Sequence, residues 1–472
     1  MFSRILALVL LLPTPFLSKA ATFYVAKTGD DANPGTQAQP FLTLKKGLTM
    51  AQPGDTLKIA AGEYPEIVAT VRNGEPGQYI TIDGQGTANV HKLNLNHPYH
   101  RLINISVSGY TNRFTALVTL GRNAHYSVVS NVLVDAASAL DVAGISWTSP
   151  GTRPFGADAA SSCLIVSNRI TGTLADTAIN IFGDNNLIEG NYVHDLGQSD
   201  FVRLWGRNNI IRANTFTNIV LVPGVGNHID FIQTFGENGF GSLGHIIENN
   251  LITSIAGGQL SQLETYMVPD IRDWTFRNNV FANIALQGSC TVPGIKYYNN
   301  VFYRCNLVNG GHALNFGQRS YGELGTSVAH GVEVKNNVFL DCGTPGATNK
   351  GWYSFDVVLT NVVADYNYVA KDNYSRMRAG SLAIGTGNHD NFKFYEPHGI
   401  NGGDPNFSLV SVLDFRLRPG SFLIDAGTSI TGLHQDFFGM TRPQGNNFDV
   451  GVHEFTKKQS INSPGNLRFV QK

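Results

Sequence analysis

The chain has 472 residues with 34 basic against 35 acidic side chains, a formal net charge of −1, which excludes a polyanion-coating role on nucleic acid or anionic lipid. At 42% hydrophobic and 15% charged it is too apolar to be disordered, and its 51 glycines and 19 prolines are too many turn residues for a helical protein. That mixture predicts an all-β domain with many tight corners.

Residues 1–20 read as a secretory signal peptide. Arg4 supplies the positive start, Ile5 to Leu12 is an unbroken apolar stretch ended by Pro13 and Pro15, and Ser18-Lys19-Ala20 offers small residues for cleavage. The apolar run is too short to span a bilayer and no second candidate follows it, so the expectation is a secreted or periplasmic protein without membrane insertion. Residues 21–86 are expected to form an N-terminal cap and the first turns of the domain. They hold Tyr24-Val25-Ala26, a polar loop from Gly29 to Thr36, and a run from Phe41 to Met50 with helical period, suited to covering an open end.

The middle of the chain repeats. An Asn followed two positions later by an apolar residue recurs at Asn168, Asn191, Asn214, Asn250, Asn279, Asn300 and Asn337, at spacings of 23, 23, 36, 29, 21 and 37. A unit near 22 residues with loops of varied length grown on it is the signature of a solenoid. Within one unit lie three short β-rich stretches, Tyr192-Val193-His194, Phe201 to Trp205 and Asn209 to Arg212, and three strands per turn without helical periodicity predict a parallel β-helix. Stacking turns about 4.8 Å apart would bury one narrow core and line up identical residues, so the Asn anchors are expected to form a hydrogen-bonded ladder at a corner. The four cysteines (Cys163, Cys290, Cys305, Cys342) have no CxxC spacing and point to buried thiols or one bridge, with Cys305 and Cys342 in one column.

Residues 404–455 form a loop-rich close and 456–472 a frayed tail, making 21–455 one domain. The segment FYVAKTGDDANPGTQAQPFLTL, with PGDTLKIAAGEYPE and YITIDGQG, resembles the start of right-handed parallel β-helix proteins of the pectin-lyase-like superfamily. It is similar in particular to polysaccharide lyases of the chondroitinase B/alginate lyase and exopolygalacturonate lyase types. The close, DFRLRPGSFLIDAG with DFFGMTRPQGNNFDVGVHEF, is similar to the ending of many secreted bacterial β-helix proteins. The resemblance implies the fold, which lyases and glycoside hydrolases share.

Aligning Ala178 to Gly183, Phe201 to Gly206, Phe231 to Gly236 and Gln262 to Met267 places Asn180, Arg203, Gln233 and Glu264 in an outward polar column. Beside it stand Phe182, Trp205, Phe235 and Tyr266, a ladder that would either stack on sugar rings or form a satellite core under loops. Trp205, Phe235, Tyr266, Gln233, Asn180 and His194 are therefore the expected substrate-binding residues. Asp200 and Asp230 precede Arg203 and Gln233 by the same three residues, and His228 is close by. Stacked carboxylates would share a cation or a proton, which makes Asp200, Asp230 and Glu264 candidate Ca2+ ligands.

Two chemistries suit this set. In a lyase the cation neutralises a uronate carboxylate and Arg203 or His228 removes the neighbouring proton; in a hydrolase two of Asp200, Asp230 and Glu264 act as acid and base. The lyases resembled here carry a lysine and an arginine on successive turns, whereas this chain has Asn180 before Arg203; Lys296 and Arg319 are a second pair that could replace them. His312 in GGHALNFG reads as a loop or surface histidine, and the Gly-rich run GENGFGSLG lacks the lysine of a phosphate loop. The expectation is an extracellular polysaccharide as partner, cleaved by β-elimination, with hydrolysis or non-catalytic carbohydrate binding as alternatives.

Overall fold

The computed structural model describes residues 20–110, 116–135, 159–172, 177–222, 229–236, 240–308, 312–343, 359–370 and 396–457, with the backbone of short strands at 145–146, 351–355, 382–383 and 393–394. The signal peptide and tail expected from the sequence lie almost wholly outside these residues. Among them, no helix is long and apolar enough to cross a membrane.

The chain winds as a parallel β-helix. A 13-stranded sheet takes one strand from each turn, from Thr22–Val25 through Ile210–Arg212 to Val363–Asp365. The remaining two strands of each turn merge into a 20-stranded sheet, because at Leu251–Leu263 and Val280–Cys290 the backbone rounds the corner without leaving the extended conformation. Alternation along each strand turns one residue in two inward, and parallel register then stacks these in columns. One column runs Ile188, Ile211, Ile247, Phe276, Tyr297, Val334. Another contains Phe281, Phe302 and Phe339, with rings stacked at 5.0 and 4.7 Å. All of these are buried in one continuous core.

The expected Asn ladder is present. The backbone N–H and side-chain amide of Asn168 both donate to Asn191 Oδ1, at 2.9 Å each, and the pattern repeats through Asn214, Asn250, Asn279, Asn300 and Asn337. It continues to Asn367 and ends on the buried Glu396 carboxylate, which accepts from the Asn367 amide at 2.9 Å. Burial pushes the Glu396 carboxyl up to about 8. The residue before each anchor is left-handed (Ser167, Gly190, Ala213, Asn249, Asn278, Asn299, Asn336), and this sharp corner aims the next side chain along the axis.

A second corner, just before the 13-stranded sheet, is also left-handed on turn after turn, at Tyr99, Tyr126, Ser162, Asn185, Asn208, Gly244, Asp273, Gly294, Gly331 and Asn361. From Tyr99 to Gly331 each N–H donates to the carbonyl at the same corner one turn on, as from Tyr99 to His125 and from Tyr126 to Ser161. Gly, Asn and Asp adopt this conformation readily; a bulky L-residue gives up roughly 1–2 kcal/mol to do so. An aromatic stack returns about 0.5–1.5 kcal/mol per pair, so two left-handed tyrosines are not what this corner needs for stability.

The ends are closed differently. Leu44–Met50 is helical, capped by Thr43 Oγ1 accepting from the Lys46 N–H, and it lays Leu44 and Leu48 over Val25 and Leu57. Gly47 lies so near Leu57 that a Cβ there would sit 2.4 Å from its side chain. The C-terminal segment does more than close the last turn, as the sequence suggested; it folds back along the outside. Phe407, Phe415, Leu417, Leu423, Val450 and Val452 cover an outward apolar column of Leu251, Val280, Val301, Val338 and Tyr368. The strap is fastened by Arg442, which pairs with the equally buried Glu454 at 2.7 Å and donates to the Gly451 carbonyl at 2.8 Å. All four cysteines are buried and unbridged.

Candidate functional site

The strands Thr177–Ile181, Asp200–Leu204, Asp230–Thr234, the end of Leu251–Leu263, the end of Val280–Cys290 and His312–Phe316 lie side by side. Their register lines up Asn180, Arg203, Gln233, Gln262, Ser289 and Asn315, and on the N-terminal side Asn94, Thr119 and the backbone of Ser146 continue the column. Every position in this line is polar, and Arg203 alone carries a charge. Nothing in the core demands that, since the neighbours Ile179, Val202, Ile232 and Leu314 on the inward side are apolar or packed within the core.

Asn180, Arg203 and Gln233 therefore align as the sequence predicts, but Glu264 does not. Gln262 holds the fourth place, because the long strand rounds its corner at Gly257-Gly258 with a register shift between Ile255 and Gln259 and so reaches the face two residues earlier than a Gly-corner alignment implies. Glu264 follows just after the strand and still joins the site. Gln233 Nε2 donates to Gln262 Oε1 at 3.4 Å, and Gln262 Nε2 donates to Glu264 Oε1 at 2.8 Å. The same Glu264 oxygen pairs with Arg319, whose guanidinium is 51% exposed while the Glu264 side chain is 4% exposed. Gln262 was missed because its column can be found only once the corner shift is known.

Asp200 and Asp230 stack on adjacent turns, with the Asp230 N–H donating to Asp200 Oδ1 at 2.8 Å. Asp200 Oδ2 accepts from Arg203 Nε at 2.8 Å; Asp200 is fully buried and the Arg203 side chain is 14% exposed. Burying an ion pair is costly unless the remaining polar atoms are engaged, and here both Asp200 oxygens are. The Ca2+ expectation does not fit this arrangement. Asp200 is committed to Arg203 and to a backbone amide, Glu264 to Arg319 and Gln262, and among the described residues no group of three His, Cys, Asp or Glu side chains converges as metal ligands do.

Of the expected aromatic ladder, Phe182, Trp205 and Phe235 stand in register and are mostly covered, whereas Glu264 takes the fourth place and Tyr266, two residues on, meets Phe235 edge on at 6.3 Å. Phe182 and Trp205 stack at 4.5 Å and are 2% and 1% exposed, packed with Ala159, Phe235 and Phe240 into a satellite core. Trp205 Nε1 donates to the Phe235 carbonyl at 2.9 Å. Trp205 is thus a packing residue and not an open sugar platform, since Phe182, Phe235 and Phe240 pack around it. Phe235 and Tyr266 remain partly exposed, and Tyr266 stacks at 4.5 Å on Tyr321, beside the Arg319 guanidinium.

The other expected residues fall elsewhere. Lys296 belongs to the 13-stranded sheet, paired in register with Thr275 and Glu333, whereas Arg319 lies in a hairpin of Gln318–Ser320 with Thr326–Val328 that follows the site strand. They are not a pair on one face, because about one turn of sequence separates positions on different sheets. His194 is on the second strand of its turn, where Nε2 accepts from Arg169 at 2.8 Å and Nδ1 meets Asp195 Oδ2 at 2.5 Å. Burial raises the Asp195 carboxyl, but hydrogen bonds from Asn218 and His194 outweigh it and leave it below its usual range. His312 begins a site strand and is buried, against the surface position expected. His228 lies outside the described residues.

Residues 27–72 match a family described as a protein of unknown function (DUF1565), which overlaps the N-terminal motif singled out in the sequence. No curated protein matches the chain in sequence. Among solved structures, the complex of XylC with xylose is similar at a TM-score of 0.58 and 11% identity, over 93% of this chain and 99% of that one. Pectate lyase Pel9A gives 0.47 and 14%, over 93% and 97%. A GH136 lacto-N-biosidase from Eubacterium ramulus gives 0.45 and 12%, over 73% and 68%. With three parallel strands per turn and a match along nearly the whole of the XylC chain, this protein has the fold of a right-handed parallel β-helix.

Proposed function

We propose that the chain acts outside the cytoplasm, after removal of residues 1–20, and cleaves a uronate-containing polysaccharide on the polar face of the coil by β-elimination. The observation that carries this reading is the pair of arginines, Arg203 and Arg319, each held by a buried carboxylate, at the two ends of a strip of amides from Gln233 and Gln262. Amides suit sugar hydroxyls, and a guanidinium fixed in place suits a carboxylate through paired hydrogen bonds. Similarity of fold to carbohydrate-active β-helix proteins supports the substrate class.

Bound to Asp200, Arg203 stays protonated, so its part is to neutralise the uronate and stabilise the charge that develops there when the adjacent carbon loses its proton. The proton goes to a neutral base, for which His228, two residues before Asp230, is the choice. The electron pair then forms the ring double bond and the glycosidic C–O bond breaks, the leaving oxygen taking a proton from water and the protonated base returning its proton to the hydroxide so formed. With Asp200 and Glu264 already engaged by arginines, this reading routes no step through a Ca2+ ion held by Asp200, Asp230 and Glu264.

Hydrolysis is the second reading, favoured by Glu264: one of its oxygens takes Gln262 and Arg319, while Oε2 is buried without a hydrogen-bond partner among the described residues. Such an oxygen is suited to holding a proton for a leaving group. The deciding experiment incubates the purified protein with pectic, alginate, glycosaminoglycan and neutral glycans and follows reducing ends together with the ultraviolet absorbance of an unsaturated uronate. Both signals, lost in Arg203→Ala and His228→Ala, are expected. Reducing ends without absorbance would replace elimination by hydrolysis, and an unchanged rate in Arg203→Ala would overturn the site.

A further inference from the structure

Tyr79, Tyr99 and Tyr126 occupy the corner ahead of the 13-stranded sheet on three successive turns. The Tyr79 and Tyr99 rings meet edge to face at 5.8 Å, and those of Tyr99 and Tyr126 stack at 5.0 Å and 8°. The ladder faces solvent, with Tyr126 47% exposed. Arg101, also exposed, lies with its guanidinium 4.2 Å from the centre of the Tyr79 ring, and no carboxylate among the described residues pairs with it.

The residue choice is the informative part. Tyr99 and Tyr126 have φ of 58° and 59° at a corner that the later turns fill with Ser, Asn, Asp or Gly. An exposed ring here adds nothing to the core, and the stack returns less than the strained backbone gives up. Bulky residues held in sparsely populated conformations cluster at ligand-binding and active sites. The outward edges of the stacked rings, a line of phenolic hydroxyls and an arginine match the hydroxyls and acidic substituents of a pyranose chain. The surface also adjoins the polar face, since Asn94 and Thr119 of that column precede Tyr99 and Tyr126 in the same turns.

We propose that Tyr79, Tyr99 and Tyr126, with Arg101, form a second glycan-binding platform that holds a polysaccharide chain without cleaving it. The turn spacing of about 4.8 Å lets consecutive rings meet consecutive parts of one chain. This platform does not depend on the cleavage reading, because neither Arg203 nor Glu264 takes part in it.

The test is the full-length Tyr99→Asn/Tyr126→Asn variant, in which asparagine meets the backbone demand of the corner. Binding to polygalacturonate, alginate and xylan is measured by calorimetry, beside melting temperature and turnover of short oligosaccharides. The expected result is an unchanged or higher melting temperature, unchanged turnover, and affinity for at least one polymer lower by about tenfold or more. A fall in melting temperature would make the ladder a structural stack. Equal polymer binding by variant and wild type, or none by the wild type, would likewise overturn the proposal. Failure of cleavage alone, with polymer binding still lost in the variant, would count against the catalytic site and not against the platform.

Discussion

Arg203 Nε donates to Asp200 Oδ2 at 2.8 Å within one strand, and the pair is oriented so that the carboxylate is sealed in while the guanidinium reaches the surface. Asp200 also accepts the N–H of Asp230 from the next turn, so the ion pair ties two turns together as well as presenting a cation to the face.

Arg203→Ala should therefore cost both stability and activity, by different routes. Leaving the Asp200 charge buried without its cation costs up to about 3–5 kcal/mol, and losing the cation that meets the uronate should lower turnover by a factor on the order of 100 or more. The double variant Asp200→Asn/Arg203→Ala removes the stranded charge, so it should recover part of the stability and none of the activity. Thermal melts with turnover numbers on the three variants separate the two effects.

The Asn ladder should be the most cooperative part of the coil. Asn250 takes the backbone and side-chain donors of Asn214 and gives its own to Asn279 and the Ile211 carbonyl. Asn250→Ala leaves several buried groups on two turns without partners, at about 1–3 kcal/mol each before relaxation. A melting temperature within a degree of wild type would show that the ladder follows the fold and does not hold it.

Much of this architecture is legible in the sequence, because a ladder repeats one residue at nearly one period and inward positions repeat apolar types every second residue. The register of Asn180, Arg203 and Gln233 follows from that periodicity alone. Three things do not. The shift at Gly257-Gly258 places Gln262, not Glu264, in the column, and two extra residues at a corner have no signature in composition. The burial of Trp205 depends on Phe240 and Ala159, which come from other turns. The strap is hidden because the outward Leu251, Val280, Val301 and Val338 look like any strand residues until a segment beginning at Phe407 covers them.

The strap also carries a pH dependence of unusual sign. Asp436, Asp449 and Glu454 surround the single buried cation Arg442, and burial raises all three carboxyls, Asp449 to about 6 and Glu454 to about 7. One cation cannot neutralise three buried anions. The folded state therefore holds protons that the unfolded chain releases near pH 4, and stability falls as pH rises from about 4 through about 7. Melting temperature should be lower at pH 8 than at pH 5, and Asp449→Asn with Glu454→Gln should flatten the slope. A profile that rises with pH over this range would mean that the carboxylates are ionised and fully compensated in the folded protein.

Trp205 and Tyr266 both touch Phe235 yet should respond oppositely to truncation. Trp205 is fully enclosed, stacked on Phe182 and hydrogen bonded to the Phe235 carbonyl, so Trp205→Ala opens a cavity worth about 3–5 kcal/mol. Any loss of activity in that variant should track the fraction unfolded and return when the assay is cooled. Tyr266 is partly exposed, backed by Tyr321 and next to Arg319. Tyr266→Ala should leave the melting temperature within a few degrees and raise KM about three- to tenfold with little change in kcat, since a ring that holds substrate and transition state alike contributes to binding and not to the chemical step. The reverse pattern, a stable Trp205→Ala with raised KM beside an unstable Tyr266→Ala, would require Phe240 to leave the satellite core in solution and put the glycan on the Trp205 ring.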